Sequence, residues 1–163
     1  MINPQDRSVA PLRRTLRAGI AAILMASAGA ALAQTTSDFV VVDDVTIYFA
    51  VLPAEMLRSY PSGSEETRMH GGVPGGKHVH HVQVALFDAN SGARLTDAEV
   101  VATVTEVGLG GTRKALDPFT IGDAETYGGY FELQPRQHYG VTIQATFPGD
   151  GRVVEQTFDY EHQ

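Results

Sequence analysis

Apolar and polar residues alternate with a period of two along most of this chain, and no other feature constrains its fold as strongly. Val45, Ile47, Phe49 and Val51 alternate with Thr46, Tyr48 and Ala50. Val82, Val84 and Leu86 alternate with Gln83, Ala85 and Phe87, and Ala98, Val100, Ala102 and Val104 follow the same rhythm. A short segment with Phe131 and Leu133 comes after Gly128-Gly129. Tyr139, Val141, Ile143, Ala145 and Phe147 form another run, and Val154, Phe158 and Tyr160 close the chain. Turn residues separate the runs: Asp88-Ala89-Asn90-Ser91-Gly92, Gly108-Leu109-Gly110-Gly111, and Pro148-Gly149-Asp150-Gly151 between Phe147 and Arg152. Helical periodicity with caps is missing here; Ala54–Ser59 predicts one helical turn after Pro53. Six or seven short strands at close spacing predict an all-β fold, an immunoglobulin-like antiparallel β-sandwich.

The first residues read as an address. Arg7, Arg13, Arg14 and Arg17 face only Asp6, and an apolar run from Ala18 to Leu32 ends in Ala31-Leu32-Ala33. That pattern predicts a signal peptide over 1–33, cleaved before Gln34, because a run of about 15 residues is too short for a bilayer span. The Arg13-Arg14 pair leaves ordinary and twin-arginine export both open. Cleavage removes four of the 12 Lys and Arg and one of the 19 Asp and Glu, leaving a formal charge of −10. The expected product is one periplasmic or secreted domain over 34–163, with a long loop insert at about 53–77 and no transmembrane segment. So acidic a chain is a poor partner for nucleic acid, whose phosphates need a basic surface.

The chain has no cysteine. Disulfides, thiolate metal sites and cysteine nucleophiles are therefore excluded. There is no Gly-x-Ser-x-Gly elbow and no His-Glu-x-x-His helix. Glu65 and Glu66 are adjacent, so as strand or loop neighbours they diverge instead of facing each other across a cleft. Asp43-Asp44 supplies too few oxygens for calcium. Tyr127 and Tyr130 flank Gly128-Gly129 and read as core or hairpin packing, with a surface recognition patch as the alternative.

Chemistry concentrates between Arg68 and Asp88. Four of the six histidines, His70, His78, His80 and His81, fall there, with Met69 beside His70. On a strand, His78 and His80 project from the face of Val82 and Val84, and His81 from the other. The Gly71-Gly72-Val73-Pro74-Gly75-Gly76 link is flexible enough to bring His70 back to the strand. The expectation is a metal site with His78 and His80 as the chelating pair, His70 and Met69 as closing ligands, and His81 as an adjunct. Imidazole suits copper, zinc, nickel or iron, and a thioether shifts the preference toward Cu(I). Solvated or structural histidines are the competing reading. His138, at a turn, is placed near the same rim, and His162 is expected to fray at the terminus.

The segments VALFDANSGARLTDAEVVATV and GGYFELQPRQHYGVTIQATFPGDGRVVEQTFDY resemble exported immunoglobulin-like domains of the YtkA/FixH type. Transthyretin-like and carboxypeptidase-regulatory-like domains read similarly. The resemblance implies a bacterial envelope protein near copper handling or cytochrome oxidase assembly. Gly72, His78 and His80 are similar to the opening of the cupin metal motif, but no glutamate follows near Val84 or Ala85. The function expected is a non-enzymatic metal carrier or chaperone, copper preferred and zinc possible. The alternatives are an accessory module of a membrane or envelope complex, docking through the insert, and a cupin-like metal protein.

Overall fold

The structure is a computed structural model and describes residues 36–162. The signal peptide expected over 1–33 lies outside the described residues. Nine strands run β1 (Thr36–Val42), β2 (Val45–Pro53), β3 (Val79–Asp88), β4 (Arg94–Leu95), β5 (Glu99–Glu106), β6 (Gly111–Ile121), β7 (Ala124–Glu132), β8 (Gln137–Thr146) and β9 (Val153–His162). All pairings are antiparallel, in the order β1-β2-β3-β7-β6-β5-β8-β9, with β4 beside β3. The result is the expected antiparallel sandwich, closed toward a barrel.

β6 joins the two layers. Gly111–Leu116 pairs with β5 in one layer, and Asp117–Ile121 pairs with β7 in the other. Pro118 stands just past that switch, where a missing N–H costs little. Between the layers, Ile47, Val51, Val82, Val84 and Leu86 meet Ala102, Val141 and Ile143, all fully buried. The Phe49 and Phe158 rings stack at 4.6 Å across the interior. Each such side chain contributes about 1.5–3 kcal/mol by leaving water.

Two strands carry no legible alternation. Phe39 and Val41 of β1 are exposed while Val40 is half-buried, so apolar residues occupy both faces. In β6 only Leu116 is buried.

The segment 53–77 holds the helical turn expected after Pro53 and two further turns. It folds as α1 (Ala54–Arg58), α2 (Glu65–Arg68) and a 3-10 turn (Met69–Gly71). Ala54, Leu57 and Met69 are buried. Arg58 Nη1 donates to the Pro74 carbonyl at 2.5 Å, and Gly122 N–H, in the β6–β7 turn, donates to Glu65 Oε2 at 2.9 Å. Among the described residues no helix is long and apolar enough to cross a membrane.

Candidate metal centre

Strand alternation on β3 decides where each histidine goes. His80 shares the inner face with Val82, Val84 and Leu86, and His81 shares the outer face with Gln83 and Ala85. Both are buried, at 2% and 1% exposure. His81 is covered because the insert lies over it.

His70 is the covering group. Its backbone is left-handed (φ 54°, ψ 28°), followed by Gly71 at φ 80° and Gly72 at φ 113°. That conformation is uncommon for a residue with a Cβ, and the three-residue reversal turns the ring onto the sheet. His70 Nε2 lies 3.1 Å from His81 Nε2. On its far side His70 Nδ1 is 3.5 Å from Asp117 Oδ2. Phe119 and Tyr130 close the niche, their ring centroids 5.2 Å and 5.8 Å from His70 and 5.4 Å and 5.0 Å from His81.

Gly128 forms the floor. A Cβ there would overlap His81 Nε2 and sit 2.6 Å from its Cε1 and 2.8 Å from Phe119 Cε1. Glycine lets the imidazole lie against bare backbone.

Burial holds His81 neutral, its pKa pushed down to about 3, with the neighbouring His70 acting in the same direction. His70 is also lowered by burial, against the opposing pull of Asp117. Two buried atoms of the niche, His81 Nδ1 and Tyr130 Oη, have no hydrogen-bond partner. Orphans of this kind are rare in folded proteins, so each calls for an explanation.

The expected grouping is thus rearranged. His70 reaches His81 and not the His78/His80 pair, because adjacent strand residues point to opposite faces and the insert crosses the outer one. Met69 is buried beside His70 in the turn. His78 precedes β3, and its ring lies toward His162, at 6.4 Å. His162 is not frayed: it ends β9, its Nδ1 is 2.9 Å from the Leu133 carbonyl, and its ring is 4.4 Å from that of His80. His138 is exposed beside Glu161, at 4.0 Å. The sequence gives no local signal for Asp117, Phe119, Gly128 or Tyr130, which the β3–β7–β6 pairing brings to the niche. Among the described residues no three His, Asp or Glu side chains form a ready-made metal cluster.

No family model and no curated protein sequence matches the chain. Solved structures do. A copper-bound variant of FetP from uropathogenic Escherichia coli superposes with a TM-score of 0.59 at 13% identity, over 79% of this chain and 97% of that one. FetP as isolated after recombinant expression in the E. coli periplasm gives 0.58 at 13%, over 80% and 98%. A DUF4426-family protein from Pseudomonas aeruginosa PAO1 gives 0.58 at 15%, over 77% and 93%. At these identities what is shared is the architecture: this chain adopts the all-β fold of FetP and of the DUF4426 protein.

Proposed function

We propose that this chain is an exported metal-binding protein of the YtkA/FixH-like kind, a periplasmic carrier or chaperone with copper preferred and zinc as the second choice. The observation that carries the reading is the His70–His81 pair, two buried neutral imidazoles with Nε2 atoms 3.1 Å apart. Two nitrogens bound to one ion at about 2.05 Å stand about 2.9 Å apart at a right angle and about 3.3 Å at a tetrahedral one. The present contact is a hydrogen bond between the rings, and an ion taking the place of its proton would need little change in their separation. Asp117 behind His70 Nδ1 supplies the carboxylate that commonly orients a metal-bound histidine. The unpartnered Tyr130 Oη gives the niche an oxygen donor, and Met69, next to His70, is the candidate thioether. The likeness to a FetP variant that binds copper supports the choice of metal.

The test is a titration of the exported chain with Cu(I), Cu(II) and Zn(II), repeated on His70→Ala and His81→Ala. Each substitution should weaken copper binding at this site by about 100-fold or more, and Asp117→Asn by about 10-fold. Failure to capture copper or zinc at micromolar concentration, or capture indifferent to both histidines, overturns the reading. Binding should hold through the ordinary histidine range, where burial keeps both rings neutral, and weaken only as pH falls toward the His81 value of about 3, since a protonated imidazole cannot ligate.

A further inference from the structure

The inner face of β3 ends in a second group of imidazoles, separated from the niche by the sheet itself. His80 and His162 have ring centroids 4.4 Å apart at an interplanar angle of 74°. His78 stands 6.4 Å from His162, and Tyr160 is 6.4 Å from His80 and 6.3 Å from His162.

What sets this group apart is how the rings are fixed. His80 Nδ1 lies 3.0 Å from the carbonyl of His78, and His162 Nδ1 lies 2.9 Å from the carbonyl of Leu133. A carbonyl can only accept, so each Nδ1 is the protonated nitrogen. In the neutral ring Nε2 then keeps its lone pair, the tautomer an Nε2 metal ligand needs. The two anchors are themselves joined, because Leu133 N–H donates to the same His78 carbonyl at 2.8 Å. One main-chain residue therefore spaces both rings. The carbonyl of His162 accepts from Arg136 N–H at 2.6 Å, which pins the end of β9. Burial lowers the pKa of His80, with repulsion from His162 and His78 in the same direction, against the bond to the His78 carbonyl and the charge of Glu55 on α1.

Each ring has the one backbone anchor a structural histidine also has; the contact between the two rings is what sets the pair apart. Two rings in adjacent contact, both held by carbonyls in the same tautomer, present two unprotonated Nε2 atoms at one end of the sandwich. We propose that His80 and His162 bind one borderline divalent ion, Zn(II) or Cu(II), through their Nε2 atoms at the end of the sandwich. Water fills the remaining positions, and His78, its ring 6.4 Å from that of His162, stands outside the pair. This site is independent of the His70–His81 niche, and the full chain would take up two ions.

The experiment uses the His70→Ala/His81→Ala variant titrated with Zn(II) and Cu(II), with and without His162→Ala. One equivalent should remain bound in the double variant, and adding His162→Ala should weaken it at least 10-fold. Absence of a remaining equivalent, or one indifferent to His162, overturns the proposal. The unmutated chain gives a reading free of any folding defect. Long-range 15N NMR of the histidine rings should show Nδ1-protonated tautomers for His80 and His162, with both Nε2 signals shifted by Zn(II). Nε2-protonated rings, or signals unmoved by zinc, refute the site whatever happens in the niche.

Discussion

Two adjacent glycines on β7 offer a controlled perturbation of the niche. Gly128 and Gly129 point to opposite faces, so a methyl added at each meets a different world. At Gly129 the nearest atom would be Leu116 Cδ2 at 3.1 Å, with the Ala115 carbonyl oxygen at 3.8 Å and Phe131 Cε2 at 3.9 Å. The Leu116 methyl is the free end of a side chain and gives way by a few tenths of an ångström. Strand entropy favours alanine over glycine by about 0.5–1 kcal/mol, so Gly129→Ala should be neutral within that range. At Gly128 the methyl would overlap the His81 imidazole and press on Phe119 from 2.8 Å. Neither ring gives way freely, because His81 is wedged between Phe119, Tyr130 and His70. Overpacking of this kind costs about 1–3 kcal/mol. It also displaces His81 Nε2 from its seat beneath His70, so copper affinity at the niche should drop with stability. Urea unfolding and metal titration of the two variants decide the matter. Equal midpoints for the two, or an unchanged copper affinity in Gly128→Ala, would show that the ring is not seated on that glycine.

Acid should destabilise the metal-free protein. His81 is neutral when folded, with a pKa of about 3, while the unfolded chain titrates near the ordinary 6.5. The unfolded state thus binds more protons between those values, so stability is greatest above pH 6.5 and declines toward pH 3. The total is up to about 5 kcal/mol, at about 1.4 kcal/mol per pH unit. Denaturant midpoints from pH 7 to 4 test this; a flat profile, or one that His81→Phe leaves unchanged, counts against a buried neutral ring. Phe158→Ala removes the ring stacked on Phe49 and should cost about 3–5 kcal/mol, read as a lowered Tm. Glu65→Ala frees the Gly122 N–H at an exposed site and should cost under about 1 kcal/mol globally. Faster hydrogen exchange across 63–76 with unchanged exchange in β3 is the expected signature.

The fold was legible wherever a strand has one wet and one dry face. β2, β3, β5, β8 and β9 meet that condition, and their alternation fixes strand, face and turn together. β1 does not, because Phe39 and Val41 are apolar and exposed, and β6 does not, because it buries only Leu116. The residues of the proposed metal site were half legible. Their histidines stand out in the sequence, and the period of two correctly separates His80 from His81. Which of the two His70 would approach depends on the face the insert crosses. Buried Ala54, Leu57 and Met69 and the tie between Glu65 and Gly122 set that path, and none of them announces it locally. Position 162 misled for another reason: its neighbourhood comes from Leu133 and His80, across the fold, while chain position alone suggests a loose end.

The proposed chelate would be divided between the sheet and the insert, with a consequence for transfer of the ion. His81 is fixed by the β3 ladder. His70 sits on a left-handed turn of the insert. The polar tie between insert and sheet, Glu65 to Gly122, is exposed and therefore weak, and buried Ala54, Leu57 and Met69 add to it. Apparent affinity equals the intrinsic affinity scaled by the docked fraction. Destabilising the docked state so that it falls from nearly all molecules to one in ten weakens capture tenfold, equivalent to about 1.4 kcal/mol, without disturbing the sandwich. A partner that binds the insert in its undocked form would lower copper affinity by that route and receive the ion as His70 withdraws. The inner pair is not divided in this way, since His80 and His162 both hang from strand backbone. The two sides of one strand would then differ in kind, one built to release its ion and the other to keep it.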